Sequence, residues 1–319
     1  EALRHYSQVT HDYETTELLA GTIPEDEPHG AQVMARYRWF RSEYEKVTRS
    51  WQDFGSPYRA QWFGMSVLRR ATELEKRSAL LDSLDDVIAN TATFLGRSPG
   101  WDRVWANEQG PVLEDLQSLR RLCHEIDSSA VANRGAIPER SKEERDWVRS
   151  RKQRLDDMTS ELENGALQPS AALDELDEIA SETKTKAARL AREAIDADTS
   201  RYADERRRRY DSRSSKDAAY AGYWYLGGGH GSYNPHSTIR LNPSSPAISA
   251  IGSSSSGAGA GGSYSSFTPI SDLVVGYSSA SSYTPPSSSG SGSSFSGGGF
   301  SGGYSGGGGF SGSGSSSSF

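Results

Sequence analysis

Apolar residues recur along the first two thirds of the chain in steps of three and four, and then the pattern stops. Val33, Tyr37, Phe40, Tyr44, Val47 and Trp51 follow those steps, which lines them up on one stripe of a helix over about Ala31 to Asp53. A helix from about Ala2 to Ala20 precedes it, with Gly21 as C-cap and Pro24 and Pro28 blocking continuation. Ser56 and Pro57 read as N-cap and first position of a third helix running to about Leu95. Within it Val67, Leu74, Leu81, Ile88 and Leu95 recur every seven residues, Leu80, Val87 and Phe94 repeat beside them, and Leu84 fills the same face. A sustained seven-residue repeat keeps one seam turned toward a partner helix, in this chain or another.

Gly96 to Gly100 breaks the pattern. A fourth helix, about Asp102 to Asp127, carries Leu113, Leu116, Leu119, Leu122 and Ile126, with Trp101 and Trp105 at its start and Pro111 kinking or restarting it. Ser128 to Arg140 reads as a loop. Ser141 with Glu144 reads as a capping box opening a helix through Val148, Leu155 and Leu162, which Gly165 ends. Pro169 and Ser170 start a last helix with Leu173, Leu176, Ile179, Thr183, Leu190 and Ala194 on a thinner apolar face. It grades into the charged run Arg201 to Arg213, expected to be frayed or solvated.

After Tyr220 the periodicity vanishes into Gly, Ser and Pro dotted with aromatics, among them Tyr233, Tyr264, Tyr277, Phe300 and Phe319. Aliphatic residues there are too sparse to offset about 1–2 kcal/mol of backbone ordering entropy per residue. Ile270 to Val275 pairs at most transiently as a strand. The expected architecture is therefore all-α: an antiparallel helical bundle or coiled coil over 1–221, followed by a long disordered Gly/Ser-rich tail over 222–319. On this reading, truncation at Gly222 leaves helix content and melting unchanged.

Charge divides the chain at the same place. The net charge is −7, and from Gly222 onward only Arg240 and Asp272 are charged. An acidic balance argues against general nucleic-acid affinity, which needs positive surface to release counterions. One cysteine, Cys123, excludes an intramolecular disulfide. No apolar run approaches the roughly 18 residues of a membrane span. Because the chain starts at Glu1, it is expected to be a processed product or a fragment, with any membrane anchor upstream.

Candidate chemistry is thin. The six histidines share no metal-ligand spacing, and Cys123 and His124 are adjacent, so their side chains diverge on a helix. Gly227 to Gly231 lacks the Lys-Ser/Thr of a phosphate loop. Neither a catalytic residue, a cofactor site nor a metal site is expected. The tryptophans, including Trp39, Trp51, Trp62 and Trp147, fall to core packing, and Asp85-Asp86 and Asp156-Asp157 to exposed solubilising faces. One concentrated basic patch, Arg206, Arg207, Arg208 and Arg209, is a possible contact for an anionic membrane surface or RNA, interrupted by Asp204, Glu205 and Asp211.

The run Phe295 to Gly312, with its Phe-Ser-Gly-Gly repeats, resembles the C-terminal tail of TPM-domain membrane proteins. Tyr13 to Pro24 and Pro99 to Trp105 resemble the post-membrane region of an uncharacterised corynebacterial branch of those proteins. The resemblance implies that a TPM domain and a membrane helix precede Glu1, with this part facing the cytoplasm. It carries over no functional residue. Keratin tails share the Gly-Ser-Phe loops, but Pro57, Pro99, Pro111, Pro138 and Pro169 chop the helical part into pieces that no intermediate-filament rod would tolerate.

Together these features favour a non-catalytic interaction or scaffold segment of a membrane-associated protein, binding an unknown protein partner or itself. The alternatives are a regulatory region for an upstream TPM-type phosphatase-like domain, and a weak nucleic-acid or anionic-lipid binder acting through Arg206 to Arg209.

Overall fold

The computed structural model describes residues 2–55, 64–214, 237–240 and 270–284, which form eight helices and no strand. In chain order these are α1 (Ala2–Ala20), α2 (Gly30–Phe54), α3 (Met65–Leu95), α4 (Trp101–Asp127), α5 (Ile137–Asn164), α6 (Pro169–Asp196), α7 (Ala203–Ser214) and α8 (Ile270–Ser281). The all-α bundle expected from the periodicity is present. One compact unit extends to Tyr283; the second, from Thr284 onward, is described only at Thr284.

The first three helices run up, down and up. Tyr6 meets Thr48, and Tyr13 stacks on Tyr44 at 4.5 Å and on Phe40 at 6.2 Å, which sets α2 antiparallel to α1. His5 pairs with Asp82 and Thr22 with Ser98, so α1 lies parallel to α3. All six stripe residues of α2 turn inward, and Trp51 donates its indole N–H to Ser78 of α3 at 3.1 Å. The seven-residue seam of α3 is thus satisfied within the chain: Leu74, Leu81, Ile88 and Leu95 are buried against its own neighbours. The start of that helix is corrected: α3 opens at Met65, with Gly64 extended at its N-cap, later than the expected start at Pro57, and Ser56 and Pro57 themselves lie outside the described residues.

Helices α4, α5 and α6 repeat the up-down-up arrangement. Trp105 donates to Thr159 at 2.9 Å near one end, and Asp127 meets Arg145 near the other, making α4 and α5 antiparallel. Arg154 grips both oxygens of Glu175 at 2.7 Å, and Arg189 reaches Glu144, making α5 and α6 antiparallel. It follows that α4 and α6 run parallel. The two halves are tied where Glu27 accepts the Ser170 N–H at 2.7 Å, capping the start of α6, while Ser170 Oγ accepts the His29 N–H at 3.2 Å.

Several boundaries are corrected. Pro111 neither ends nor restarts α4, which runs through it from Trp101 to Asp127. The helix expected to open at Ser141 starts one turn earlier at Ile137, with Pro138 in its first turn. Ser141 and Glu144 are therefore interior positions; Glu144 is buried and holds Lys186 at 2.8 Å and Arg189 at 2.7 Å instead of capping. The basic run does not continue α6: the chain turns after Asp196 and starts again at Ala203 as α7. Gly165 ends α5 as expected, at φ +80°, with its N–H on Leu162. Gly165→Ala forces a left-handed alanine, so a loss of about 1 kcal/mol is expected in urea unfolding.

The largest departure lies beyond Tyr220. Ile270 to Val275 is helix, not strand, and Ile270, Leu273, Val274, Tyr277 and Ala280 of α8 are buried against α4, α6 and α7. Five apolar side chains at helical spacing suffice once three other helices supply the opposite wall, which local composition does not reveal. The expectation for truncation at Gly222 therefore reverses: such a chain loses α8 and melts lower. The loss should be on the order of 5 kcal/mol, since the burial of α8 and the Arg240 bridge both go, offset in part because water reaches the uncovered groups and the ordering entropy of the deleted segment is no longer lost. A chain ending after Thr284 should melt as the full chain does. Equal melting of all three by calorimetry refutes the packing role of α8.

Candidate functional site

The densest buried charge lies between the parallel helices α4 and α6. Glu108 and Asp115 stand seven residues apart on α4, and Asp177 and Lys184 stand seven apart on α6, so each pair spans two turns on one face. This spacing presents two polar stations to the seam, and the C-terminal part of the chain seats on both.

At the first station sits the tetrapeptide Ser237-Thr238-Ile239-Arg240. Glu108 Oε1 accepts the Ser237 hydroxyl at 2.7 Å and the Thr238 N–H at 3.1 Å, while Oε2 faces Arg240 Nε at 3.4 Å. Arg240 Nη2 donates to Asp177 Oδ1. Ser237 Oγ in turn accepts the N–H groups of Ile239 (3.3 Å) and Arg240 (3.1 Å), which folds the tetrapeptide into a tight turn. Ile239 is fully buried, and the side chains of Glu108 and Arg240 are 1% and 4% exposed. One cation thus bridges two carboxylates from different helices in a dry setting, where charge-assisted bonds are strong and an unpaired partner is costly.

At the second station Asp115 accepts the N–H of Ile270, the first residue of α8, where a carboxylate suits the positive end of a helix. Burial pushes the Asp115 carboxyl up to about 6, against the opposing pull of Lys184. Burial likewise brings the Lys184 ammonium down to about 8, partly offset by Asp115. At neutral pH both groups are charged and attract.

The far end of α8 explains the basic run. Arg206 donates to Asp198 at 2.9 Å and to the Tyr283 carbonyl at 3.2 Å, and Arg209 lies 3.7 Å over the Tyr283 ring. Arg207 pairs with Asp196 at 2.9 Å, and Arg208 and Arg209 pair with Glu205. Each of the four arginines thus has a carboxylate of its own chain, and only the Arg208 side chain is largely exposed, at 75%. Midway along α8, the Tyr277 hydroxyl meets Ser129 Oγ at 3.4 Å beside a cavity of about 30 Å³, room for water and little else.

Other residues weighed from the sequence fall as follows. Asp156 and Asp157 are exposed, as expected, but Asp85 is buried at 2% exposure between α1 and α3. Its carboxyl is pushed up to about 7, first by burial and then by Asp12, Asp86 and Asp82, with a Thr16 hydrogen bond pulling the other way. Cys123 is buried, and burial raises its thiol to about 11, which leaves little reactive thiolate at neutral pH. Among the described residues, no group of three or more His, Cys, Asp or Glu is placed to hold a metal ion, and no helix is long and apolar enough to cross a membrane. Trp62, His230, His236 and the glycine run at 227–231 lie outside the described residues.

The signature of a domain of unknown function, DUF5129, matches residues 1–176. The chain belongs to this family. No curated protein and no solved structure matches the chain. The DUF5129 match covers α1 to α5 and the first turns of α6, including Glu108 and Asp115. Asp177, Lys184, the tetrapeptide and α8 lie beyond it, so the groove is built across the edge of the DUF5129 segment. Sequence reasoning missed this seat because Arg240 and Asp272 entered it only as the two charged residues from Gly222 onward. Their isolation in nearly a hundred otherwise uncharged residues was the available signal: Arg240 is buried in an ion pair, and Asp272 sits in the first turn of α8.

Proposed function

We propose that this DUF5129 chain is a non-catalytic interaction module whose α4–α6 face holds an extended peptide segment followed by a short helix. The observation that carries this reading is Glu108 accepting two hydrogen bonds from one tetrapeptide and pairing with its arginine, while Asp177 accepts from the same arginine. Side-chain and backbone donors converging on a buried acceptor make a recognition device, and the chain's own segment occupies it as a ligand would. The buried ionisable groups support the reading too, since they face partners within the fold and not an open cavity. In this proposal the module sits beside the membrane segment of a TPM-type protein, a setting supported only by the resemblance of Tyr13 to Pro24 and Pro99 to Trp105.

Two measurements test it. Hydrolysis of p-nitrophenyl phosphate or acetate by the full chain should stay at the level of buffer; turnover abolished by Glu108→Gln overturns the non-catalytic assignment. The parent open reading frame should encode a TPM-like domain and a membrane helix upstream of Glu1, and a parent without them removes the membrane setting.

A further inference from the structure

We propose that α1 is a proton-gated cover: it lies closed on α3 while the Asp85 carboxyl holds a proton, and lifts from α3 ahead of the rest of the bundle when that proton leaves. The device lies in the first three helices and is independent of the α4–α6 groove.

At its centre is a carboxyl group in a place that does not suit a charge. Asp85 is 2% exposed, and its Oδ1 is buried without a hydrogen-bond partner. The side chain shares a hydrogen bond with Thr16 of α1, itself buried. The charged groups acting on it most strongly are all acids: Asp12 from α1, and Asp86 and Asp82 from its own helix. None of them comes from α2, α4 or α6, the other helices packed on α3. His5 of α1 is engaged by Asp82 at 2.6 Å, one turn before Asp85. A carboxylate sealed in that position lacks a cation, and one of its oxygens lacks a donor, whereas the protonated acid is tolerated. Burial, and after it the three acids, hold the carboxyl up to about 7 against the Thr16 hydrogen bond.

When the charge appears, α1 is the part that yields. Its buried apolar side chains are Val9 and Ala20, while Leu3 and Leu18 are 65% and 74% exposed. The seam of α3, by contrast, is also held by α2 and α4. A helix with few buried apolar side chains stands at the low end of a fold's local opening energies. Lifting α1 admits water to Asp85, whose carboxyl then titrates near the usual value of about 3.9. Loss of the proton therefore favours the open cover, and the opening equilibrium should rise roughly tenfold from pH 6 to pH 8 and level off beyond. Opening also uncovers the Phe40 and Tyr44 rings on which Tyr13 stacks.

The test is hydrogen exchange of the full chain, read by mass spectrometry from pH 6 to pH 8 and corrected for the intrinsic pH dependence of amide exchange. Peptides from α1 should lose protection roughly tenfold over that range. Those from α5, which packs on α4 and α6 and not on α1 or α3, should not change. In Asp85→Asn the α1 response should vanish; in His5→Gln, which removes only the tie to Asp82, it should remain. Should Asp85→Asn prove unfolded by circular dichroism, Asp12→Asn replaces it, and a smaller rise than in the native chain is expected. Four results overturn the cover: flat protection of α1, a rise that persists in Asp85→Asn, a rise abolished by His5→Gln, or an equal rise in α1 and α5, which means unfolding of the whole bundle.

Discussion

Arg240→Ala lowers the stability of the folded chain by about 3–5 kcal/mol, the cost of leaving a buried carboxylate pair without its cation. Glu108 and Asp177 are both buried, and alanine at 240 removes the cation they share and leaves two like charges around its site. The Ser237 hydroxyl and the Thr238 N–H, which stay on Glu108, do not neutralise its charge. The point variant should lose no more than deletion of the whole segment, because a segment without its arginine can leave its seat and admit water to both carboxylates. At roughly 2–4 °C per kcal/mol for a unit of this size, the melting temperature should fall by on the order of 10 °C in calorimetry. Adding Glu108→Gln and Asp177→Asn should restore most of the loss, since the penalty lies in the unpaired charges. A drop below about 1 kcal/mol for Arg240→Ala, or no rescue in the triple variant, excludes the buried bridge.

Asp85→Asn should stabilise the chain above neutral pH and do nothing in acid. In the folded chain the Asp85 carboxyl is held up to about 7, whereas in an unfolded chain it titrates near the usual value of about 3.9. The folded state therefore holds the proton more tightly, and Asp85 costs stability progressively as pH rises from about 4 to 7 and by a constant amount above that. A shift of this size corresponds to on the order of 4 kcal/mol at pH 8. Asparagine keeps an oxygen for the Thr16 hydroxyl and removes the charge that Asp12, Asp82 and Asp86 oppose. Urea melts of both chains should thus diverge above pH 7 and converge near pH 4. Parallel curves across that range would mean that Asp85 is not a buried acid.

Both outcomes concern residues whose surroundings local sequence could not supply. Asp85 follows Leu84 and precedes Asp86 on an otherwise well-read helix, and charge alone placed it outside. On a helix packed on more than one side, however, the positions between two apolar stripes are also covered: α1 closes over Asp85 while Asp86 stays exposed. Ser141 and Glu144 misled in a similar way, because a capping-box spacing is also the spacing of two residues on one buried face, and only the presence of Lys186 and Arg189 across the seam tells them apart.

Periodicity of three and four, with Gly165 and Pro169 as punctuation, was enough to establish six long helices and most of the residues they bury, since each helix must hide its own stripe. The partner of each stripe was another matter. That the seam of α3 closes on α1 and α2, that Arg206 ends in a latch on Tyr283, and that Arg240 and α8 join the core depend on surfaces contributed by distant parts of the chain. A short apolar segment or a lone charge gains its stabilisation from what it meets, and that is fixed only when the helices have packed.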